Sequence, residues 1–192
     1  LGDAEPLYEV ARGEGDRFEM AFTHGNAYGE SYFSFVNGQY TNDGGTHQSA
    51  FREGFLKGVN EFAKKSYAGE DVRDGIVAAI AVKLQDPVFE SQTKNKLGNT
   101  EIRSDLVAKV SQAVAEAMHR DPTEAKKLIT KIEETQKLRK ELNTVKKLAR
   151  ETSDATEIIR DRIGGIQTST DLIVSRVEKF SSVVENVNAT VS

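Results

Sequence analysis

The feature that most restricts the fold is a long hydrophobic stripe in the C-terminal part of the chain. From Thr135 to Val191, uncharged residues recur at alternating intervals of three and four. None of the positions in this register is charged, although charged residues make up 29% of the chain. A sustained 3.5-residue repeat indicates a helix that supercoils left-handedly with partner helices. We therefore expect a long C-terminal coiled-coil helix.

This register defines the seam of the helix. The seam positions are Thr135, Leu138, Leu142, Val145, Ala149, Thr152, Thr156, Ile159, Ile163, Ile166, Thr170, Ile173, Val177, Phe180, Val184, Val187 and Val191. Leu148, Ala155, Val174 and Val183 widen the stripe beside it, which favours a bundle of more than two helices over a simple dimer. A homodimer or helical bundle through residues 122–192 is the predicted assembly. The outward-facing pair Gly164 and Gly165 weakens the helix by about 1 kcal/mol per glycine, so we expect a local hinge there.

The start of this helix has clear sequence signals. Asp121 is suited to cap the helix, Pro122 to occupy its first position, and Glu124 to reach back as in a capping box. We therefore predict a folded domain over residues 1–121 and a long helix over residues 122–192.

The sequence of the first domain predicts both strands and helices. Residues 7–12 and 18–23 are predicted to form a hairpin, and residues 31–36 a further strand, because apolar residues alternate with polar ones. Residues 76–84 form a nearly continuous apolar run that is typical of a strand covered on both faces. Residues 102–119 carry apolar positions at helical spacing.

Another helix is expected after the turn-forming residues 42–45. Thr46 is the predicted N-cap, and the helix runs to about Lys65. Its apolar stripe, which we expect to cover the sheet, consists of Phe51, Phe55, Val59 and Phe62.

A polar segment follows the apolar strand and carries the candidate site. Pro87 ends the strand, and residues 87–99 contain Gln92, Lys94 and Lys96. On such a loop Lys94 is a point charge that can reach a phosphate. The plainer alternative is a solvated surface loop, which these residues alone favour.

Four blocks of this sequence, in order, resemble one protein family. They are residues 34–37 with 44–47, residues 70–75, residues 86–90, and the segment Gln92-Thr93-Lys94 followed by residues 96–99. Together they resemble the transducer domain of the ATPase subunit, or B subunit, of bacterial type IIA DNA topoisomerases, namely gyrase B and topoisomerase IV B. The resemblance covers about residues 5–145 and centres on the family's Gln-Thr-Lys loop.

The resemblance implies an α+β domain with the ribosomal protein S5 domain 2-like fold, followed here by the long helix. It implies that Lys94 contacts the γ-phosphate of ATP in the neighbouring ATPase domain and that Gln92 helps to hold the nucleotide. ATP is then the cofactor, with magnesium held mainly by an upstream domain missing from this sequence. The implied partners are the ATPase domain of the same subunit, the topoisomerase A-type subunit and DNA. The implied function is to couple ATP hydrolysis to DNA strand passage.

A second resemblance begins near residues 145–151. From there the chain is similar to the descending helix of the cytoplasmic signalling hairpin of methyl-accepting chemotaxis proteins, although the tip of that hairpin is absent. This suggests a fusion of two families near residues 145–151. The alternative function is therefore a coiled-coil signalling or interaction protein with the N-terminal domain as a cap.

Composition and missing motifs exclude other classes. There are no cysteines, no apolar run of transmembrane length and no secretory signal, so the expected location is the cytoplasm. A net charge of −4 argues against autonomous nucleic-acid binding. Residues 14–16 superficially match a Toprim motif but read as a turn, and ATPase and DNA-cleavage motifs are missing, so no activity is expected from this chain alone. His24, His47 and His119 lack metal-ligand spacing and are predicted to be structural.

Overall fold

A computed structural model describes the backbone of residues 18–191 and the side chains of residues 18–186. The strands are β1 (Phe18–His24), β2 (Glu30–Val36), β3 (Gln39–Tyr40) and β4 (Ile76–Val82). The helices are α1 (Thr46–Ala63), α2 (Gly69–Arg73), α3 (Arg103–Arg120) and α4 (Pro122–Val191), with a 3₁₀ turn at Thr100–Ile102. The α+β class predicted from the sequence is confirmed. The chain divides into two compact units after Leu138, whereas the predicted boundary at residues 121/122 stays a prediction.

The strands form one mixed sheet in the order β1-β4-β2-β3. The central strand β4 runs antiparallel to β1 and parallel to β2, and β3 runs antiparallel to β2. A parallel pair needs a crossover connection, and α1 and α2 lie in the segment that joins β2 to β4. The predicted pairing of residues 7–12 with β1 lies outside the described residues.

Within residues 18–191, strand β4 is covered on one face, not on both as its apolar run predicts. Its side chains alternate between buried and more exposed, and Ala79 on the open face is exposed. Its neighbours on that face, Val77 and Ala81, are only partly buried. The prediction was wrong because small apolar residues on an open sheet face look like core residues in a sequence.

The core lies between the covered face of the sheet and the helices. Phe51, Phe55 and Val59 of α1 are fully buried, and Phe62 packs at the edge of the core, as the predicted stripe requires. Phe22 of β1 meets Phe55 edge-on, with ring centroids 4.8 Å apart. Such aromatic pairs contribute about 1 kcal/mol beyond the burial of their surface.

Thr46 is the first residue of α1 rather than its N-cap, which corrects the sequence prediction. Gly45 holds the cap position and has no side chain to bond the helix. The Thr46 hydroxyl instead donates to the carbonyl oxygen of Leu97 at 3.3 Å. The helix ends at Ala63, and Lys64 closes it in the left-handed conformation.

The helices α1 and α3 approach closely through two glycines one turn apart. A Cβ at Gly54 lies 2.8 Å from the carbonyl oxygen of Val107, and one at Gly58 lies 2.6 Å from that of Ser111. Backbone atoms cannot move aside as a flexible side chain can. These two positions therefore set the distance between α1 and α3.

Helix α4 begins at Pro122 with Asp121 as its cap, as the sequence predicts, but the predicted capping box does not form, because the Asp121 amide donates to the carbonyl of Ala117. The Asp121 carboxylate accepts hydrogen bonds from the backbone amides of Thr123 and Glu124, at 3.2 and 3.1 Å. Glu124 forms an ion pair with Lys127 at 2.5 Å. In its first turns α4 contributes the buried side chains Ala125, Leu128 and Ile132 to the core of the first unit.

In the second unit, α4 is a helix whose described side chains are almost all exposed. The helix is unbroken across Gly164 and Gly165, and the predicted hinge at this pair stays a prediction. Their carbonyl oxygens accept hydrogen bonds from the hydroxyls of Thr168 and Ser169 at 3.0 Å. No helix within residues 18–191 combines the length and hydrophobicity that crossing a bilayer requires.

The close approach of α1 and α3 predicts the effect of two matched substitutions. Gly54→Ala should lower the free energy of unfolding by about 1–3 kcal/mol, because overpacking outweighs the gain in helix propensity. Gly164→Ala, where a Cβ meets nothing within 4 Å, should not lower it and should raise the helical content. Urea unfolding followed by circular dichroism measures both effects. Equal stability of the two variants would show that α1 and α3 are not held at this distance.

Candidate functional site

Residues 88–98 form a narrow ribbon that carries the candidate loop. Phe89 and Leu97 pair as an antiparallel bridge. The amide of Glu90 donates to the carbonyl of Lys96 at 3.0 Å, and the amide of Gly98 to that of Val88 at 2.8 Å. These bonds close a short hairpin whose tip is residues 91–95.

The tip presents Lys94 to solvent. Lys94 lies in the left-handed region with φ 55°, and its amide donates to the carbonyl of Ser91 at 3.1 Å. The Ser91 and Thr93 hydroxyls share a hydrogen bond of 2.6 Å. The side chains of Gln92, Thr93 and Lys94 are exposed. A tight turn therefore fixes the backbone and leaves the Lys94 ammonium group facing outward.

The loop's two lysines differ in their partners. Lys96 forms an ion pair with Glu90 across the ribbon, at 2.8 Å. Lys94 has no carboxylate within ion-pair distance among the described residues. An exposed lysine without a counterion keeps its charge available to an external anion.

The base of the ribbon is docked on the turn that precedes α1. Leu97 is fully buried and pairs with Gly45 as a parallel bridge. The Leu97 amide donates to the Gly44 carbonyl at 3.1 Å, and the Thr46 amide donates to the Leu97 carbonyl at 3.0 Å. The Asp43 amide adds a bond to the carbonyl of Asn95 at 2.9 Å. The ribbon is thus held along one side by backbone hydrogen bonds.

This docking requires glycine at position 45. Gly45 has φ 129°, where side chains are strongly disfavoured. A Cβ there lies 2.4 Å from both the nitrogen and the oxygen of Leu97. The residue is therefore fixed by conformation and by the close approach of the ribbon.

The Asn99 side chain joins the two ends of the loop through hydrogen bonds. Its side-chain oxygen accepts from the amide of Val88 at 2.6 Å, while its NH₂ group donates to the carbonyl of Asp86 at 3.2 Å and to Glu101 at 2.6 Å. Asn99 is buried, so these bonds replace the water it has lost. The sequence contains Asn99 in the resembling segment but gives no signal of this role, because its partners follow only from the fold.

A buried polar cluster lies beside the turn before α1. The Thr41 hydroxyl donates to the Ser34 carbonyl at 2.9 Å and lies 3.3 Å from Nε2 of His47. Burial lowers the pKa of His47 to about 4, so the imidazole is neutral near pH 7. This neutral ring, fully buried, fills the space behind the docking turn.

His24 is also buried and neutral. Its Nε2 lies 3.0 Å from the carbonyl oxygen of Val72, and its ring stacks on Phe55. Burial lowers its pKa to about 4, although the contact with Val72 acts in the opposite direction. His119 packs edge-on against Phe62. The described part of the chain contains no group of three or more histidines and carboxylates that could hold a metal ion.

A charged cluster around Glu30 was not predicted from the sequence. The Glu30 carboxylate accepts from the Arg52 guanidinium at 2.8 Å, from Arg73 at 3.2 Å and from the Tyr32 hydroxyl at 2.6 Å. Burial raises the pKa of Glu30, but the hydrogen bonds from Arg52 and Tyr32 and the charges of both arginines outweigh it, so the pKa lies below its usual value. Donors from the same unit thus occupy the carboxylate oxygens of Glu30, and the cluster connects β2 to α1 and α2.

Residues 4–148 match the family model described as DNA gyrase B. The chain belongs to the DNA gyrase B family. The match contains the whole ribbon and the turn on which it docks, and it ends within the predicted change of resemblance at residues 145–151. That change, and the identity of the residues beyond 148, stay predictions.

Curated relatives support the same assignment. The DNA topoisomerase 4 B subunit of Borreliella burgdorferi is 52% identical over 145 residues, which cover 76% of this chain and 24% of the relative. The DNA gyrase B subunit of Clostridium acetobutylicum is 36% identical over 137 residues, which cover 66% of this chain and 22% of the relative. The chain thus spans roughly a quarter of the length of these relatives.

Solved structures agree on the fold. The 43K ATPase domain of Thermus thermophilus gyrase B, in complex with an aminocoumarin, matches with a TM-score of 0.66 and 27% identity. This match covers 77% of the chain and 43% of the solved one. The topoisomerase IV ATP binding domain of Francisella tularensis matches with a TM-score of 0.60, at 21% identity. The family assignment is confirmed, whereas the S5 domain 2-like detail and the roles of Lys94 and Gln92 stay predictions.

The close contact at Gly45 predicts that Gly45→Ala releases the ribbon. The amide of Leu97 should then exchange with solvent at least about tenfold faster, because its hydrogen bond to Gly44 cannot form beside a Cβ. Gly98→Ala is the matched control, since a Cβ there meets its nearest atom at 3.5 Å. Hydrogen exchange measured by NMR gives both rates. Unchanged protection of Leu97 in Gly45→Ala would contradict the docking.

The two buried histidines predict a loss of stability in mild acid. Their pKa values fall from 6.5 in the unfolded chain to about 4 in the folded chain. Stability is therefore fully present above pH 6.5 and decreases as the pH falls towards 4, by on the order of 3 kcal/mol per histidine. In urea unfolding, His47→Gln should reduce the loss of stability between about pH 7 and 5. An unchanged loss would show that His47 titrates normally.

Proposed function

We propose that residues up to about 145 act as the transducer of a type IIA topoisomerase B subunit and sense the γ-phosphate of ATP through Lys94. The single observation that carries this proposal is Lys94, which is exposed at the tip of a ribbon with a fixed base and has no ion-pair partner within residues 18–186. Membership of the DNA gyrase B family supports it, since the family's relatives include both gyrase B and topoisomerase IV B.

The chemistry of the tip suits a phosphate group. An ammonium group on a long side chain can approach a terminal phosphoryl oxygen, and the exposed amide of Gln92 can donate a further hydrogen bond. Such a charge-assisted bond contributes on the order of 1.5–3 kcal/mol. The turn at Ser91–Lys94 holds both side chains near the same end of the ribbon.

The fixed base of the ribbon allows a contact at Lys94 to move the rest of the folded unit. Backbone bonds join the ribbon to the turn before α1, and Gly54 and Gly58 join α1 closely to α3. A pull on Lys94 therefore acts on the whole folded unit rather than on a loose loop. We propose that loss of the γ-phosphate releases Lys94 and lets this unit move relative to the ATPase domain.

ATP supplies the γ-phosphate and its charge when it is bound in the ATPase domain. Residues Lys94 and Gln92 offer donors that fit that group. The described residues hold no carboxylate and histidine cluster for magnesium, so we assign the metal to the ATPase domain. The proposed partners are that domain, the A-type subunit and DNA, and the proposed location is the cytoplasm.

The chemoreceptor-type signalling function is not proposed. It depends on the resemblance of residues 145–192 alone, and none of the described contacts favours it. The family match also covers most of the chain and ends at residue 148, near the start of that segment.

Two lysine substitutions test the sensing role. When an ATPase domain of the family is reconstituted with this chain, Lys94→Ala should lower ATP turnover about 10- to 100-fold, the loss of one charge-assisted bond. Lys96→Ala removes the same charge from a lysine already paired with Glu90 and should change turnover less than about twofold.

Steady-state ATP hydrolysis measures both effects, and circular dichroism verifies that each variant is folded. Unchanged turnover in Lys94→Ala, or an equal loss in Lys96→Ala, would contradict nucleotide sensing by Lys94.

A further inference from the structure

Helix α4 exposes a continuous apolar surface that no other described element covers. Ten large side chains of the seam are between 43% and 69% exposed, namely Leu138, Leu142, Val145, Ile159, Ile163, Ile166, Ile173, Val177, Phe180 and Val184. Scattered single apolar residues on a surface are ordinary, but a row of this length marks an interaction surface.

The area of this surface is large enough for a stable interface. Burying a side chain of this size removes about 60 Å² or more of apolar surface from water. Ten such side chains on each of two helices therefore bury roughly 1,200 Å², which exceeds the threshold of about 1,000 Å² for a specific interface. A second copy of α4 provides the same length and the same 3.5-residue spacing.

The charges beside the seam favour a parallel, in-register arrangement. In parallel coiled coils, the residue directly before the first seam position of each repeat lies close to the residue five positions later in the partner helix. Leu142 is one such first seam position. Glu141 then faces Lys146 of a second copy, and Lys146 faces its Glu141. Farther along, the same rule places Arg162 opposite Gln167 and Arg176 opposite Ser181. Over residues 141–181 this alignment pairs opposite charges at Glu141 and Lys146 and brings no like charges together.

The apolar residues beside the seam favour an assembly of more than two chains. Leu148 and Val183 lie directly beside the seam, and Ile158 and Leu172 lie next to them on the same flank, all more than half exposed. Isoleucine at successive seam positions, as in Ile159, Ile163 and Ile166, also favours trimers and tetramers over dimers.

We propose that residues 138–184 associate with further copies of this chain as a parallel, in-register coiled coil. Each layer of this assembly is formed by the same seam residue from every copy. The outward face carries charged residues such as Asp154 and Asp161 and stays in water. This inference is independent of nucleotide sensing by Lys94.

Cysteine cross-linking tests the alignment, because the chain contains no cysteines. Val145→Cys places a thiol in the seam with little change of volume. In a parallel, in-register assembly these thiols meet their own copies, so mild oxidation should convert more than about half of the chain into disulfide-linked dimers. Asp154→Cys lies on the outward face and should give less than about a tenth under the same conditions.

Sedimentation of the full chain completes the test. We expect an oligomer of two or more copies, and Ile166→Lys, which buries a charge in a seam layer, should shift it towards monomer at least about tenfold. A monomeric chain at all concentrations would overturn the proposal. So would an oligomer in which Val145→Cys does not cross-link, because the copies would then be antiparallel or out of register.

Discussion

The backbone contact between Gly45 and Leu97 is the constraint on which the loop and its surroundings depend. It joins a turn before α1 to a ribbon more than 40 residues later in the chain, and it allows no side chain at position 45. Because the same turn leads directly into α1, the helix and the ribbon are anchored at the same residues. The exposed tip therefore has a defined position although the side chains of Gln92, Thr93 and Lys94 are exposed.

Behind this contact, two buried histidines of the first unit are uncharged, and a partly buried carboxylate is paired with arginines. His24 and His47 are buried with pKa values of about 4 and are uncharged near neutral pH. Glu30 is surrounded by Arg52, Arg73 and Tyr32, so its charge is matched where it is partly buried. Lys94 differs from all of these groups, since its charge has no partner within the described residues. A cation left unpaired on a well-supported tip is suited to an external anion.

The sequence predicted those features that depend on neighbours in the chain. The apolar stripe of α1, the Asp121 cap and the long helix that follows it all depend on local spacing, and the structure contains each of them, whereas the coiled coil stays a prediction. Predictions failed where distant residues decide. Thr46 bonds Leu97 of the distant ribbon instead of capping α1, and the open face of β4 could not be recognised because its small apolar residues resemble core residues in a sequence.

The same distinction applies to the site. Lys94 and Gln92 could be selected from the sequence because the loop resembles a family segment, whereas the support from Gly45 and Asn99 became visible only in the fold. The glycine pair at 164 and 165 is a separate case. Low helix propensity predicts a hinge there, and the helix continues through both residues, so the hinge stays a prediction.

In the proposed function, Lys94 recognises the γ-phosphate and not the rest of the nucleotide. The most direct measurement compares the affinities of a non-hydrolysable ATP analogue and of ADP for an ATPase domain joined to this chain, with and without Lys94→Ala. We predict that the substitution weakens binding of the analogue about tenfold or more and leaves ADP binding unchanged. An equal effect on both nucleotides, or no effect on either, would contradict recognition of the γ-phosphate by Lys94.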